Sequence, residues 1–122
     1  MAVRPLFCVA IVYVKINVMS WLLLLIAAIF EVGWPFGMKM ASLSSNKMGW
    51  ILFAVIAMAL SGVFLYFAQK QIPIGVAYAI WTGIGAVCTF LIGIYFFNDT
   101  ANLMKYFGIF FIILGIILLE VS

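Results

Sequence analysis

Four long apolar runs organise the chain, each ended by a short polar stretch. They extend from about Ser20 to Met38, Trp50 to Ala68, Ile74 to Phe97, and Leu103 to Leu119. No charged residue lies between Met48 and Gln69, nor between Gln71 and Asn98. A helix needs roughly 20 predominantly apolar residues to cross the hydrocarbon of a bilayer, and each run comes close to or exceeds that length. The intervening stretches, Ser42 to Lys47, Lys70 to Pro73 and Asn98 to Asn102, hold turn formers and little else. Connections this short predict an all-α integral membrane protein of four transmembrane helices running up, down, up and down, with no soluble domain.

Residues 1–18 depart from this pattern. The apolar stretch from Pro5 to Val14 is too short to span a membrane and is flanked by Arg4 and Lys15. No small-residue cleavage pattern follows it, as one would after a signal peptide. We expect an extension over 1–18, either a loosely attached interfacial segment or residues ahead of a natural start at Met19. The four-helix domain is expected over 19–122.

Composition agrees with a bilayer setting. Hydrophobic residues make up 70% of the chain and charged residues 7%, against roughly 45–50% and 25% in ordinary soluble domains. There is no histidine, and the two cysteines, Cys8 and Cys88, are far apart in sequence. No zinc constellation, Cys–His nucleophile or disulfide framework is therefore expected, nor any metal, cofactor or enzymatic activity. The net charge of +3 is spread singly, which argues against a nucleic-acid partner.

Against this background Glu31 is in the wrong place, inside the first apolar run. A carboxylate in hydrocarbon costs a few kcal/mol and usually faces a bundle interior or a water-filled cavity, where it serves protons or cations. As helix glue it would need a cation, and Lys39 lies about 12 Å further along the helix axis. Trp34 shares a helical face with Glu31, too deep for an interfacial belt. Pro35, four residues after Glu31, removes the usual donor to the Glu31 carbonyl and can kink the helix.

The third run carries a second cluster, Pro73-Ile74-Gly75-Val76-Ala77-Tyr78-Ala79-Ile80-Trp81-Thr82-Gly83-Ile84-Gly85. Tyr78 and Trp81 fall on one face. Gly83 and Gly85 mark a bend or a close helix approach. Ser61 is the hydroxyl in the middle of the second run, placed either to bond back to its own helix or to serve the site. Gly108 and Gly115, seven residues apart, put two small residues on one stripe of the fourth run, a seam for another helix.

These features resemble the small multidrug resistance transporters over Met19 to Ser122. The resemblance rests on Phe30-Glu31-Val32-Gly33-Trp34, on the Pro73–Gly85 run and on the glycine spacing of the fourth helix. Trp34 is similar to the guanidinium exporter subtype, since quaternary ammonium exporters tend to have Gly there. Ser61 falls where that subtype carries a serine contacting the glutamate, and Tyr78 and Trp81 match its binding-site aromatics. The resemblance implies an antiparallel dimer in a prokaryotic inner membrane, exchanging protons for a guanidinium-type cation at two Glu31 side chains. Pro35 replaces an expected small residue, and Glu120 stands where the subtype often has Lys.

Physical reasoning reaches a similar picture. Many transporters surround a midplane site with inverted repeats, and this chain has no internal repeat. Two oppositely inserted copies would supply the symmetry, and proton and cation would compete for the same carboxylates. Three alternatives stay open at this point: the same machinery selecting quaternary ammonium ions, a non-transporting assembly subunit, and a heterodimer with a related subunit in place of a homodimer.

Lys and Arg near helix ends set orientation. From Met19 onward, Lys70 alone lies on the side of the second connection, against Lys39, Lys47 and Lys105 on the other; Arg4 and Lys15 balance the count. The full chain is expected to insert both ways and a chain starting at Met19 with a bias. Tag accessibility on both decides it, and a single orientation for the full chain would count against a homodimer of opposed copies.

Overall fold

The computed structural model describes residues 3–122, with side chains described from Val18 onward. The side chains of the 1–17 stretch, including Arg4, Cys8 and Lys15, lie outside the described residues. Four helices follow one another: α1 (Val3–Leu43), α2 (Lys47–Ala68), α3 (Ile74–Phe97) and α4 (Leu103–Val121). Each is long and apolar enough to cross a membrane, α1 over the 26 residues Val18–Leu43. The chain is a multi-pass membrane protein.

Capping fixes the helix starts. The Asn46 side chain accepts from the Gly49 N–H at 3.3 Å, and the Asn102 side chain from the Lys105 N–H at 2.9 Å, each satisfying a donor the helix leaves open. α1 continues through Pro35 and runs past Met38 to Leu43, where the Ser42 hydroxyl donates to the Lys39 carbonyl at 2.6 Å. A proline interrupts one hydrogen bond of a helix, and tight packing on a neighbour compensates for that loss.

Most of the buried side chains of the bundle are small. Ala27 and Ala28 of α1, Ala54, Ala57, Ser61 and Ala68 of α2, and Ala77 and Gly85 of α3 are buried. Large side chains such as Leu52, Met58 and Phe67 point outward. In lipid the hydrophobic effect does not draw large residues inward, so association rests on close packing of small ones. A Cβ added at Gly33 would sit 3.0 Å from the Ala57 Cβ, and one at Gly37 only 3.2 Å from the Trp50 carbonyl oxygen. Gly33 and Gly37 thus form a small-xxx-small contact that brings the α1 and α2 backbones together.

The two ends of the bundle differ. Toward the α2–α3 connection, Leu24, Ala68, Ile72, Ala77 and Ile80 form a buried apolar cluster beside a cavity of about 410 Å³ lined by Gln71, Ile72, Glu120 and Ser122 among others. Toward the other end Phe36 packs against Trp50, Phe96 and Phe97, with ring centroids 5.5 to 6.0 Å apart. Next to that aromatic cluster the helices part around two cavities. Among the described residues α4 packs chiefly on α3, and it has no buried residue.

Replacing Gly37 by Leu is expected to destabilise the α1–α2 pair by about 1–3 kcal/mol through overpacking. Gly62→Ala, with nothing within 4 Å of the new Cβ, is expected to leave stability unchanged or raised. Unfolding in detergent compares the two.

Candidate functional site

Glu31 lies near the middle of the Val18–Leu43 span, about 20 Å from either end at 1.5 Å per residue. Its side chain is half-buried against α3. A Cβ at Gly85 would stand 2.9 Å from the Glu31 Cγ, so the carboxylate-bearing chain occupies space that only glycine leaves. Gly83 faces the opposite partner: a Cβ there would meet the Ile116 side chain of α4 at 2.9 Å. The two glycines act as close-approach positions for different helices, and α3 stays continuous through both.

Behind Glu31 lies a hydrogen-bonded hub. The Ser61 hydroxyl is fully buried and donates to the Ala27 carbonyl at 2.7 Å. The Trp81 indole N–H donates to the Ser61 oxygen at 2.8 Å and approaches the Ala27 carbonyl at 3.2 Å. The Ser61 oxygen is also 3.5 Å from the nearer Glu31 carboxylate oxygen. A hydroxyl has one proton, so donation to Ala27 and to Glu31 are alternatives, and the shorter distance favours Ala27 in this conformation. Ser61 is therefore a cross-helix bridge and not a bond back to its own helix.

Glu31, Ser61 and Trp81 are thus brought together. Tyr78 joins them through Trp81, edge-on with centroids 5.3 Å apart, and its side chain is otherwise exposed. Trp34 is half-buried one turn beyond Glu31 but is not among the residues lining the cavity that Glu31 faces. At Gly108 and Gly115 a Cβ would meet nothing within 4 Å, leaving the seam expected on α4 open in the single chain.

That cavity, about 510 Å³, runs between α1, α3 and α4. Its walls are Glu31 and Pro35, then Thr82, Gly85, Ala86, Thr89 and Phe90, with Asp99 and Ile109 completing it. A second cavity of about 160 Å³ adjoins it, sharing Pro35, Thr89 and Asp99 and adding Lys39. An anionic, hydroxyl-lined chamber at membrane depth is chemically suited to a small cation and to protons. Among the described residues no cluster of His, Cys, Asp and Glu is placed to hold a metal ion.

Sequence reasoning missed several of these groups. Thr82 and Thr89 repeat at seven residues with Gly85 between them, a helical-face signal that was available. The Gly33–Gly37 spacing was equally visible. The Ala27 carbonyl and Asp99 carried no local signal, because backbone acceptors and loop residues are assigned to a site only by tertiary packing.

Comparison with known proteins gives a consistent result. A sequence model of the family described as Small Multidrug Resistance protein matches residues 19–112. The guanidinium exporter of Escherichia coli (strain K12) is 40% identical over 104 residues, covering 85% of this chain and 98% of that protein. The guanidinium exporters of Yersinia pseudotuberculosis and Proteus vulgaris are each 38% identical over 104 residues, covering 85% of this chain and 99% of theirs.

Replacing Ser61 by Ala leaves the Trp81 N–H with only the longer contact to Ala27. The expected cost is about 0.5–1.5 kcal/mol, with a shifted Trp81 indole N–H resonance. Unfolding in detergent and NMR of the indole protons measure both, and an unmoved resonance would remove Ser61 from the hub.

Proposed function

The chain belongs to the small multidrug resistance family, and on that premise we propose that it exports guanidinium and small guanidinylated cations in exchange for protons. The observation that carries this reading is Glu31, a carboxylate at mid-span that lines a chamber reaching the polar end of the bundle. A carboxylate at that depth is kept where it binds protons or cations. The names of the relatives in three enterobacterial species support guanidinium as the cation, and four apolar spans suit the cytoplasmic membrane of a prokaryotic cell as the location.

Guanidinium suits the chamber. Its planar N–H edge can bond both oxygens of one carboxylate, and the Thr82 and Thr89 hydroxyls offer further acceptors along the wall. The site holds either the cation or the proton, so competition by itself couples the two flows.

The functional unit in this reading is an antiparallel dimer, with α4 as its seam. Gly108 and Gly115 are unfilled and α4 exposes Phe107, Phe111 and Leu118. A second, oppositely inserted copy supplies the symmetry that inverted repeats give larger transporters. It also brings a second Glu31 to the site, and the exposed Tyr78 and half-buried Trp34 are then available as aromatic walls for stacking.

Glu31→Gln keeps the size of the side chain but loses charge and proton, and is expected to abolish exchange while leaving insertion and assembly intact. A tetraalkylammonium ion has no N–H to give, so a desolvated carboxylate goes unpaired at a cost of about 1–3 kcal/mol. Guanidinium is accordingly expected to exchange well and tetraalkylammonium weakly. Proteoliposome current or pH change with each cation at matched concentration measures both. Equal transport of tetraalkylammonium overturns the selectivity, and proton-coupled transport by Glu31→Gln overturns the mechanism.

A further inference from the structure

Asp99 is an acidic residue that the exchange at Glu31 leaves unused, and the fold delivers it to the same chamber. Asn98 ends α3 in the left-handed conformation, φ 57° and ψ 35°, which Asn tolerates better than most residues. The chain turns back there, and the Asp99 N–H donates to the Gly93 carbonyl at 2.9 Å. Gly93 is buried, and a side chain on it would collide with the Asp99 carboxylate. The carboxylate therefore rests on the last turns of α3, where it lines both the chamber holding Glu31 and the smaller cavity holding Lys39.

Asp99 is exposed and follows the C-terminus of α3 directly. A helix C-terminus carries partial negative charge, so a carboxylate placed on it raises the local energy unless a cation is near. Of the cations in reach, Lys105 is bonded to Thr100, and Lys39, which shares the smaller cavity with Asp99, lies toward an aromatic ring. The Lys105 ammonium donates to the Thr100 carbonyl at 2.8 Å and to its hydroxyl at 3.3 Å. The Lys39 ammonium lies over the Phe97 ring, 5.9 Å from its centroid. A helix end and a carboxylate of the same sign stand together at the outer part of a chamber whose inner part holds Glu31. Thr89 lines both cavities between them.

We propose that Asp99 is an outer cation-receiving residue of this chamber, pairing with a small planar cation at the α3–α4 connection before the cation passes Thr89 to Glu31. This rests on the reading of Glu31 as the exchange site. Asp99 acts on capture and leaves the coupling to Glu31, so its removal affects the concentration at which transport saturates and spares the maximal rate.

The test is guanidinium-driven proton flux in proteoliposomes for the unmodified chain, Asp99→Asn, Asp99→Glu and Glu31→Gln, each at low and high salt. Acidic residues contribute little to membrane orientation, so the Asp99 variants insert as the unmodified chain does. Asp99→Asn is expected to raise KM for guanidinium by about two- to fivefold, the scale of one exposed charge pair, with maximal rate unchanged. Asp99→Glu is expected to restore KM. Salt is expected to raise KM of the unmodified chain more than that of Asp99→Asn, since screening acts on the charge removed. Equal KM and equal salt dependence for the two overturn the proposal, as does a loss of maximal rate common to Asp99→Asn and Asp99→Glu. Those outcomes leave the exchange reading intact as long as Glu31→Gln is inactive beside a working unmodified chain; flux that Glu31→Gln preserves overturns that reading and the proposal built on it.

Discussion

The bond from the Ser61 hydroxyl to the Ala27 carbonyl, 2.7 Å long and fully out of solvent, is the contact on which the rest of the structure depends. In hydrocarbon a polar group has no water to fall back on, so every buried donor and acceptor must find a protein partner. Ser61 meets that requirement by joining α2 to α1 and by accepting from Trp81 of α3. Three helices are thereby fixed at one depth, one turn from Glu31. The bridge forms only because Gly33, Gly37, Ala54 and Ala57 let the α1 and α2 backbones approach.

This arrangement explains why the interior is small and the exterior large. Where solvent is lipid, moving a Leu inward gains little, and backbone proximity with good packing gains more. Alanine and glycine build the contacts, and Gly85 gives up its side-chain space to Glu31. α4 has no part in the hub and, among the described residues, rests chiefly on α3. The helix is exposed along much of its apolar length, and its glycines face open space in the single chain.

The chamber follows from the same geometry. Tight packing of α1 on α2, with Gly85 of α3 against Glu31, leaves the polar end of the bundle parted between α1, α3 and α4. Glu31 sits at the inner part of that opening and Asp99 at the outer part, with threonine hydroxyls along the α3 wall. The Ser61 hydroxyl, bonded to the Ala27 carbonyl, stands 3.5 Å behind the Glu31 carboxylate, whose side chain also lines the cavity.

Much of this was legible in the sequence. Hydropathy alone gives four spans, because the bilayer demands length and apolarity and nothing subtler. Glu31 announces itself by the energetic cost of its place, and Ser61, Tyr78, Trp81, Gly83 and Gly85 by standing on or near its level in neighbouring helices. What the sequence left open was who meets whom. It allowed Ser61 a bond to its own helix, gave Gly83 and Gly85 one shared role, and had no means of placing Asp99. Helix faces, backbone carbonyls and loop turns are paired by rotation and approach in three dimensions, which periodicity along one chain does not encode. The span count, the apolar surface and the lone mid-span carboxylate were determined by the sequence itself. The Ala27–Ser61–Trp81 bridge, the separate partners of the two glycines and the meeting of Glu31 with Asp99 in one chamber were decided by tertiary packing, because each depends on which surfaces the small residues allow to touch.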